Sequence, residues 1–335
     1  VQRGMGRDGH FPEEWIMSVV AARNSGREDF PEEGLSHLAQ TPRITLKSVL
    51  ESDPAAYLGS THAAAHGAHP GVLVKLIDSS ERLTIQVHPD RETAQRLLGS
   101  SFGKTECWHI LDGRMVEGEA PCVYLGFREG VTREYWQELF KKQEIPGMLD
   151  CLHRYEVHPG ETILIEGGVP HAIGAGCFLA EIQEPTDYTI RVERTTPSGF
   201  AVADEMCHQG LGFNQMFECF HYQGFSRDAA RKKWFLPRRP FPGEQTGDSA
   251  QLVGYEDTPF FAMRELRTDG ELKVKNERFS GLYVLEGAGT LECKGGILQL
   301  NAPGQYFVPA GTSDFVLRAA PAGQLRVLQC FGPRD

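Results

Sequence analysis

Short segments in which apolar and polar residues alternate recur along most of the chain. From Leu83 to Val87 the apolar residues occupy every second position, the period that places one face of a β-strand against a core. The sequence also contains 37 glycines and 20 prolines, which supply turns between such segments. The pattern predicts a mainly β fold, with strands at residues 73–77, 83–87, 105–111, 123–127, 162–165, 178–183 and 188–192, and then at 260–266, 271–274, 281–285, 289–293, 306–309 and 325–331.

Helices are predicted between the strands of the first part of the chain. Residues 91–98 form one of them, and Thr132 is the N-cap of another. We expect residues 149–152 to extend the second helix and residues 206–220 to be helical or loop-like. The first part therefore reads as a β-rich domain with helical insertions.

The length of 335 residues allows one large domain or two fused ones. Residues 237–249 are rich in Pro, Arg, Gly and Gln and have no periodicity, so we interpret them as a linker. The prediction is a first domain at 1–236 and a second at 250–335. The closely spaced strands of the second predict a small antiparallel barrel or jelly roll.

The overall charge and the cysteines limit the partners and the cellular location. A formal net charge of -11 argues against nucleic acid or an anionic membrane as a bulk partner, although local cations can still bind a small anion. The eight cysteines form no CxxC pair, and the early apolar run from Trp15 to Ala22 is too short to span a bilayer. We expect a cytoplasmic protein with reduced cysteines.

Three segments bring together residue types that bind metals. Gln86 and His88 lie two residues apart on a predicted strand, so their side chains share a face, and the same holds for Lys104 and Glu106. A third strand ends in a glycine turn with His171 at its tip. Each residue alone is more often structural. Together, two neutral imidazoles, a carboxylate and an amide oxygen suit zinc, and an open coordination position would make the site catalytic.

The third segment also matches a known motif. From Gly160 to His171 its spacing is that of the second cupin motif, with Glu166 in place of the usual proline. The first segment has Gln-x-His where most cupins have His-x-His, and Glu106 lies further downstream than the usual glutamate. With the segment from Leu179 to Gln183, these departures resemble the type I mannose-6-phosphate isomerases, over residues 70–200. The resemblance implies two cupin domains, each a double-stranded β-helix, with helical insertions in the first.

The resemblance also implies a function and a set of site residues. The family interconverts mannose 6-phosphate and fructose 6-phosphate with one Zn2+ per chain, and its substrate is a small sugar phosphate. Its active-site lysine matches Lys104, its active-site arginine matches Arg191, and the aspartate four residues before that arginine matches Asp187. The zinc ligands it implies are Gln86, His88, Glu106 and His171.

The chemistry of aldose–ketose isomerisation agrees with these residue types. A proton moves between adjacent carbons through an enediol(ate), which requires a base and a group that stabilises the developing oxyanion. Arg191 or the metal can stabilise the oxyanion. Asp187, Lys104 and a metal-bound hydroxide are all candidates for the base, and a plain salt bridge between Asp187 and Arg191 is the structural alternative. Thr84 and Arg194 are candidate contacts for the substrate phosphate.

We predict no metal site at the histidines of residues 61–71 or in the second domain. Residues 61–71, which include His62, are expected to form a solvated loop. Residues 304–314 resemble the cupin motif shortened by one residue, with Asp314 where the metal histidine would stand. We predict a degenerate second cupin that binds no metal.

Two other functions compete with the isomerase. One is a non-catalytic sugar-binding or regulatory cupin, against which the joint presence of the four ligands, Lys104 and Arg191 argues. The other is a metal-dependent oxygenase, but iron oxygenases favour two histidines and one carboxylate, and the amide ligand suits a redox-inert Lewis acid better.

Overall fold

The computed structural model describes residues 12–22, 29–240 and 249–334. The strands in these ranges are β1 Glu13–Ile16, β2 His37–Leu38, β3 Thr41–Thr45, β4 Leu73–Asp78, β5 Gln86–Val87, β6 Glu106–Gly113, β7 Cys122–Phe127, β8 Leu152–Glu156, β9 Thr162–Ile165, β10 His171–Ile173, β11 Cys177–Gln183, β12 Ile190–Arg191, β13 Phe235–Leu236, β14 Arg239–Pro240, β15 Ala250–Val253, β16 Ala262–Thr268, β17 Glu271–Val274, β18 Ser280–Glu286, β19 Ala288–Cys293, β20 Gly296–Asn301, β21 Gly304–Val308, β22 Phe315–Ala319 and β23 Leu325–Phe331.

The helices are shorter elements between these strands. They are α1 Leu46–Ser52, α2 Pro54–Leu58, α3 Ser60–His66, α4 Arg91–Leu98, α5 Arg133–Lys142, α6 Ile145–Asp150, α7 Asp204–His208, α8 Gly212–Gln215 and α9 Arg227–Trp234, with a 3-10 turn at Met216–Cys219. The prediction of a mainly β protein is confirmed. Within the described ranges, no helix has both the length and the apolar character that crossing a bilayer requires.

The chain divides into two compact units. One contains Leu76–Pro237, and the other contains Glu14–Lys75 and the described residues from Arg238 onward. The predicted domains, 1–236 and 250–335, assigned residues 14–75 to the first. The structure groups them with the C-terminal strands because long-range contacts join them: the backbone N–H of Ala310, for example, donates to the Tyr57 carbonyl at 2.8 Å. Such pairing between distant segments has no local sequence signal.

Strands of two antiparallel sheets form the unit Leu76–Pro237. A five-stranded sheet has the order β12-β5-β10-β7-β8, and β11, β6, β9 and β13 are consecutive neighbours in a second sheet. One apolar cluster takes side chains from both, including Trp108 and Ile163 from the second sheet and Val123 and Ile173 from the first. The inner faces of the two sheets therefore share a core.

The helices of this unit cover the other face of the five-stranded sheet. Trp136 and Phe140 of α5 and Met148 of α6 belong to one buried cluster with Val87 and Ile190. Because side chains alternate along a strand, the neighbours of Val87 and Ile190 in sequence point to the opposite, inner face. This alternation decides where the polar residues of β5 and β12 lie.

The predicted helices agree with the structure except at one end. Residues 91–98 form α4, and the Thr132 side chain caps α5 by accepting from the Tyr135 N–H. The extension to residue 152 is wrong, because α6 ends at Asp150 and Leu152 begins β8 by pairing with Phe127. Strand pairing with a distant segment here overrides a local helical pattern.

The predicted loop at residues 61–71 is also wrong in part. Ser60–His66 form helix α3, and His62 is buried with Nε2 2.9 Å from the His69 carbonyl oxygen. The sequence pattern was too rich in Ala and Gly to indicate burial. Within the predicted linker, Arg239–Pro240 pair with β15, and residues 241–248 lie outside the described residues.

The C-terminal strands form two further antiparallel sheets, ordered β14-β15-β16-β23-β18-β21 and β17-β22-β19-β20. A core cluster takes Leu266 and Val327 from the larger sheet and Leu291 and Leu317 from the smaller one. Strands β15, β20 and β22 were not predicted. Asp314 stands between β21 and β22, where its Oδ1 accepts a hydrogen bond from the Asn276 N–H at 2.9 Å.

Replacing Asp314 with alanine should therefore reduce stability. The Asn276 N–H loses its acceptor, and we expect the free energy of unfolding to fall by about 1 kcal/mol. Urea denaturation measures the change. Asp314→Asn is the matched control, since its amide oxygen can still accept the bond, and an Asp314→Ala variant as stable as the wild type would show that this contact contributes nothing.

Candidate metal centre

Three of the predicted site residues lie side by side across the five-stranded sheet. Gln86 of β5 is paired with His171 of β10 on one side and with Arg191 of β12 on the other. Residues directly opposite each other in antiparallel strands project to the same face. Their neighbours Val87 and Ile190 face the helices, so this row faces the interior of the unit.

Glu106 completes the cluster from the second sheet. It is the first residue of β6, where it pairs with Gln183 of β11, and it is fully buried. Its Oε2 lies 3.1 Å from His88 Nε2, and its Oε1 lies 3.3 Å from His171 Nε2. The Gln86 side-chain amide is 3.2 Å from His171 Nε2. All four residues that the sequence pointed to as ligands thus converge.

The orientation of the two imidazoles is determined by backbone carbonyls. His88 Nδ1 is 2.8 Å from the Tyr188 oxygen, and His171 Nδ1 is 2.9 Å from the Val169 oxygen. A carbonyl oxygen only accepts, so each Nδ1 carries the proton and each Nε2 directs a lone pair into the cluster. Burial lowers the pKa of His88 to about 3 and also lowers the pKa of His171. Both rings are therefore neutral, the form that binds metals.

Glu106 carries the negative charge of the cluster. Burial opposes its ionisation, but the neighbouring Lys104 holds its pKa well below the ordinary value. Among the described residues, neither of its oxygens has a hydrogen-bond partner of normal geometry. A buried carboxylate without hydrogen bonds is costly unless a cation neutralises it.

These donors fit a metal ion. His88, Glu106 and His171 place their ligand atoms within 4.8 Å of one another, and no other such group of His, Cys, Asp or Glu is found in the part of the chain that the structure describes. Turning the Gln86 amide by half a rotation exchanges its nitrogen and oxygen, so an oxygen can take the inward position. Two imidazole nitrogens and two side-chain oxygens are a donor set that suits zinc.

Lys104 lies in the same cluster. Its side chain is 4% exposed, and its Nζ is 2.9 Å from His88 Nε2 and 3.1 Å from Glu106 Oε2. The lysine nitrogen can donate to the lone pair of His88 Nε2, and its charge can balance that of the Glu106 carboxylate.

Arg191 is held by the backbone and not by an ion pair. Its Nη1 donates to the Met206 carbonyl at 2.9 Å and to the Thr189 carbonyl at 3.3 Å. Burial lowers the pKa of Arg191, and the Asp187 carboxylate partly offsets that effect. Among the described residues no ion pair within 4.0 Å joins Asp187 to Arg191, so the alternative of a plain salt bridge does not describe this contact.

The two candidate phosphate contacts differ in their surroundings. Thr84 is buried two residues before Gln86. Arg194 is exposed, and its Nη2 donates to Asp204 Oδ1 at 2.6 Å while its guanidinium lies 4.8 Å from the Phe213 ring centroid. To bind a phosphate, Arg194 would have to break its ion pair with Asp204.

The sequence interpretation missed a buried glutamate that holds two site segments together. Glu184 accepts from Arg91 Nε at 2.6 Å, and from the Thr105 N–H at 3.0 Å. Thr105 stands between Lys104 and Glu106, so this carboxylate fixes the segment that leads into β6. Its position after the segment Leu179–Gln183 gave no indication of burial.

A second missed contact fixes the turn that follows His88. Asp90 caps α4 by accepting from the Thr93 N–H, and its other oxygen lies 2.7 Å from His221 Nε2. The Gly168 N–H donates to the His88 carbonyl at 2.7 Å, and a Cβ on Gly168 would lie 2.4 Å from the His221 ring. Glycine is required there because the two ligand segments and His221 meet without space for a side chain.

Glu181 is a further buried carboxylate on the inner face. It pairs across the strands with Trp108, whose Nε1 donates to Glu181 Oε2 at 3.0 Å, and the Trp108 ring meets the His171 ring edge-on at 5.4 Å. The indole therefore connects this carboxylate with a candidate metal ligand. Glu181 lies in the segment Leu179–Gln183 that carries the family resemblance, but the residue pattern of this segment predicts no role for it.

Comparisons with known proteins find relatives of this chain. The chain is 34% identical over 247 residues to the probable mannose-6-phosphate isomerase GmuF of Bacillus subtilis, which covers 73% of this chain and 71% of that protein. It is 32% identical over 121 residues to the mannose-6-phosphate isomerase ManA of the same organism, or 36% of each chain. No family model matches the sequence.

Solved structures resemble most of the chain. The mannose 6-phosphate isomerase from Bacillus subtilis superposes with a TM-score of 0.71 at 21% identity, covering 95% of this chain and 89% of that one. A zinc-bound mannose 6-phosphate isomerase gives a TM-score of 0.63 at 15% identity, covering 87% and 86%. At these identities the likeness concerns the fold.

Glu184→Gln tests the buried contact that orders the site. The substitution keeps the shape but removes the charge that strengthens both hydrogen bonds, so we expect the free energy of unfolding to fall by about 2 kcal/mol. Urea denaturation measures it. Glu138→Gln is the matched control, since Glu138 forms an exposed helix pair with Lys142, and should leave the unfolding curve unchanged. Equal stability of the two variants would contradict the role given to Glu184.

Proposed function

The chain belongs to the mannose-6-phosphate isomerase family, and we propose that it interconverts mannose 6-phosphate and fructose 6-phosphate at a zinc site. The observation that carries the proposal is the cluster of Gln86, His88, Glu106 and His171, with Lys104 Nζ 2.9 Å from His88 Nε2 and 3.1 Å from Glu106 Oε2. We assign these four residues as the ligands of one Zn2+ per chain. The substrate is a small sugar phosphate.

We also propose that the fold is a pair of cupin domains, each a double-stranded β-helix. Support comes from the paired antiparallel sheets with a shared core, and from α5 and α6, which stand between β7 and β8 as helical insertions. The metal-binding domain would lie within 1–236 and a metal-free second domain within 250–335. A cytoplasmic location is supported by the eight cysteines, all of which are free thiols.

The proposed reaction moves a proton between the first two carbons of the sugar. A bound zinc ion supplies a Lewis acid that stabilises negative charge on a substrate oxygen. The Arg191 guanidinium, in the same row as Gln86, is assigned to stabilise the developing enediolate. Half-buried and held by two backbone carbonyls, it is oriented before substrate arrives, which lowers the cost of reorganisation in the transition state.

Proton transfer is assigned to the remaining polar groups of the site. Lys104, which lies against His88 and Glu106, is assigned to donate to a sugar oxygen. Asp187, four residues before Arg191, remains the candidate base among the residues that the sequence indicated. Thr84 and Arg194 are the proposed contacts of the phosphate.

Metal analysis coupled to an isomerase assay tests the proposal. Purified protein should contain one zinc per chain and convert mannose 6-phosphate to fructose 6-phosphate. Chelation should remove both the zinc and the activity, and added Zn2+ should restore them. A zinc-loaded protein that binds mannose 6-phosphate without turnover would instead be a non-catalytic sugar-binding cupin.

Loss of one imidazole should remove the metal. His88→Ala and His171→Ala each leave only one histidine ligand, so zinc content should fall sharply and isomerisation should be abolished. Elemental analysis and the coupled assay measure both effects. His158→Ala, a change at an exposed histidine, is the control and should keep full zinc and activity. Full zinc occupancy in the His88→Ala variant would exclude the assigned ligand set.

Arg191→Lys separates transition-state stabilisation from plain binding. Lysine keeps the charge but loses the planar fork of donors, so we expect kcat to fall on the order of 10²-fold while zinc stays bound and KM changes little. Steady-state kinetics measure the division between kcat and KM. The exposed Arg231, which pairs with Glu161, gives the control Arg231→Lys with normal kinetics. A raised KM with unchanged kcat would place Arg191 on the phosphate instead.

A further inference from the structure

Arg191 lies on a strand that has little backbone pairing of its own. Strand β12 consists of Ile190 and Arg191, and it stands at the end of the five-stranded order in the described part of the chain. Its two residues pair with Val87 and Gln86 of β5. A strand usually has about 5–6 residues, so this ladder is short. Contacts beyond the ladder must therefore help to hold β12 against β5.

The buried carboxylate of Glu193 provides such a contact. Glu193 follows the end of β12 by two residues and is 1% exposed. Its Oε1 accepts a hydrogen bond from the Ile85 N–H at 2.6 Å. Ile85 directly precedes Gln86, and the Val192 N–H donates to the Ile85 carbonyl at 3.0 Å. The Glu193 side chain therefore joins the end of β12 to the residue that leads into β5.

Arg82 fixes the Glu193 carboxylate in this position. Its Nη1 donates to Glu193 Oε1 at 2.5 Å and its Nη2 donates to Oε2 at 2.8 Å, a paired contact that sets the plane of the carboxylate. The same Nη1 also donates to the Leu83 carbonyl at 2.9 Å. The Arg82 side chain is 16% exposed, so the ion pair is largely shielded from water. Both oxygens of Glu193 are bound within the protein, which suits a holding role and not a contact with substrate.

The end of a helix holds the same segment through its backbone. Gln143 is the C-cap of α5, and its Oε1 accepts from the Arg194 N–H at 2.7 Å. Its Nε2 donates to the Val192 carbonyl at 3.3 Å. Val192 and Arg194 flank Glu193 in sequence. The backbone around Glu193 is thus tied to a helix, while the Glu193 side chain ties it to β5.

We propose that Glu193 is a positioning residue for Arg191, an inference that rests on the role in enediolate stabilisation proposed for Arg191 above. Glu193 acts by holding β12 against β5, so that the guanidinium meets the developing charge. A displacement of about 1 Å at such a group can lower a rate by about 10²-fold. The position of Gln86 depends less on this contact, because β5 also pairs with β10 through His171. Zinc should therefore stay bound when Glu193 is replaced.

Glu265 supplies the matched control, since a buried ion pair can also serve stability alone. It is fully buried, and it accepts from Arg267 Nε at 2.9 Å and from Arg326 Nε at 2.5 Å. It belongs to the unit of the C-terminal strands and not to the unit Leu76–Pro237. Glu193→Gln and Glu265→Gln each remove a buried carboxylate charge that arginine binds. A change in kcat that is confined to Glu193→Gln therefore reports on the site.

Steady-state kinetics of the zinc-loaded, full-length protein test the positioning role. We expect Glu193→Gln to lower kcat about tenfold or more, with zinc content unchanged and KM within about twofold of the wild type. Glu265→Gln should keep kcat within about twofold. In the Arg191→Lys background, Glu193→Gln should change kcat less than about twofold, because a residue that acts through Arg191 loses its effect once the guanidinium is gone. An equal loss of kcat in both backgrounds would overturn the proposal, since a merely structural contact acts additively.

Amide hydrogen exchange gives a readout that does not depend on activity. Glu193→Gln should speed exchange of the Val192 amide, which is bonded to Ile85, about tenfold or more, and Glu265→Gln should leave it unchanged. Should Glu193→Gln fail to fold, Arg82→Lys, which loses the paired contact, serves in its place with the same expected outcomes. An inactive wild type would contradict the proposed isomerase, and unchanged Val192 exchange would then still refute the holding role. An active wild type with normal kcat in Glu193→Gln would refute the positioning role alone.

Discussion

The buried carboxylate of Glu106 makes the strongest physical demand in the unit Leu76–Pro237. A charge without hydrogen bonds in a protein interior is stable only if positive charge or a metal lies beside it. Lys104 supplies one such charge, and the neutral imidazoles of His88 and His171 present lone pairs to the same space. Three acceptors around one point define a cation site. The rest of the local structure can be understood as what holds those acceptors in place against their mutual repulsion.

That support comes from a second layer of fixed contacts. The Tyr188 and Val169 carbonyls set the tautomers of the two histidines, and Glu184 anchors the strand that carries Glu106. Behind the row of β5, β10 and β12, an apolar cluster with the helices keeps the strands rigid. Metal ligands held within a few tenths of an ångström need such backing, because each ligand rotamer must be fixed before the ion arrives. The positions of the polar side chains on the inner face of the sheet therefore depend on the apolar packing between its outer face and the helices.

The sequence predicts those features of the fold and the site that depend on spacing within one segment. A spacing of two residues in a predicted strand places Gln86 with His88 and Lys104 with Glu106, and a glycine turn presents His171, so the candidate ligands could be predicted. Glu184 and His221 were not readable, because their partners are far away in the chain and burial of a charge leaves no local pattern. The same reason explains the grouping of residues 14–75 with the C-terminal strands. Long-range pairing decides it, and no periodicity encodes it.

The two units apply one principle with different chemistry. In each unit, a strand carries apolar residues on its inward face and then a polar residue on the same face. Glu106 lies two residues before Trp108 on β6, and Arg264 lies two residues before Leu266 on β16. The apolar part of each row supplies most of the stability, because hydrophobic burial scales with the area removed from water. The polar residues on the inward face are therefore not needed for most of the stability, and their chemistry can serve binding instead. In the unit Leu76–Pro237 the polar part is a carboxylate with two imidazoles, a donor set that suits a metal cation. Among the C-terminal strands it is a hydrogen-bond network of Arg264, Gln329 and Ser280.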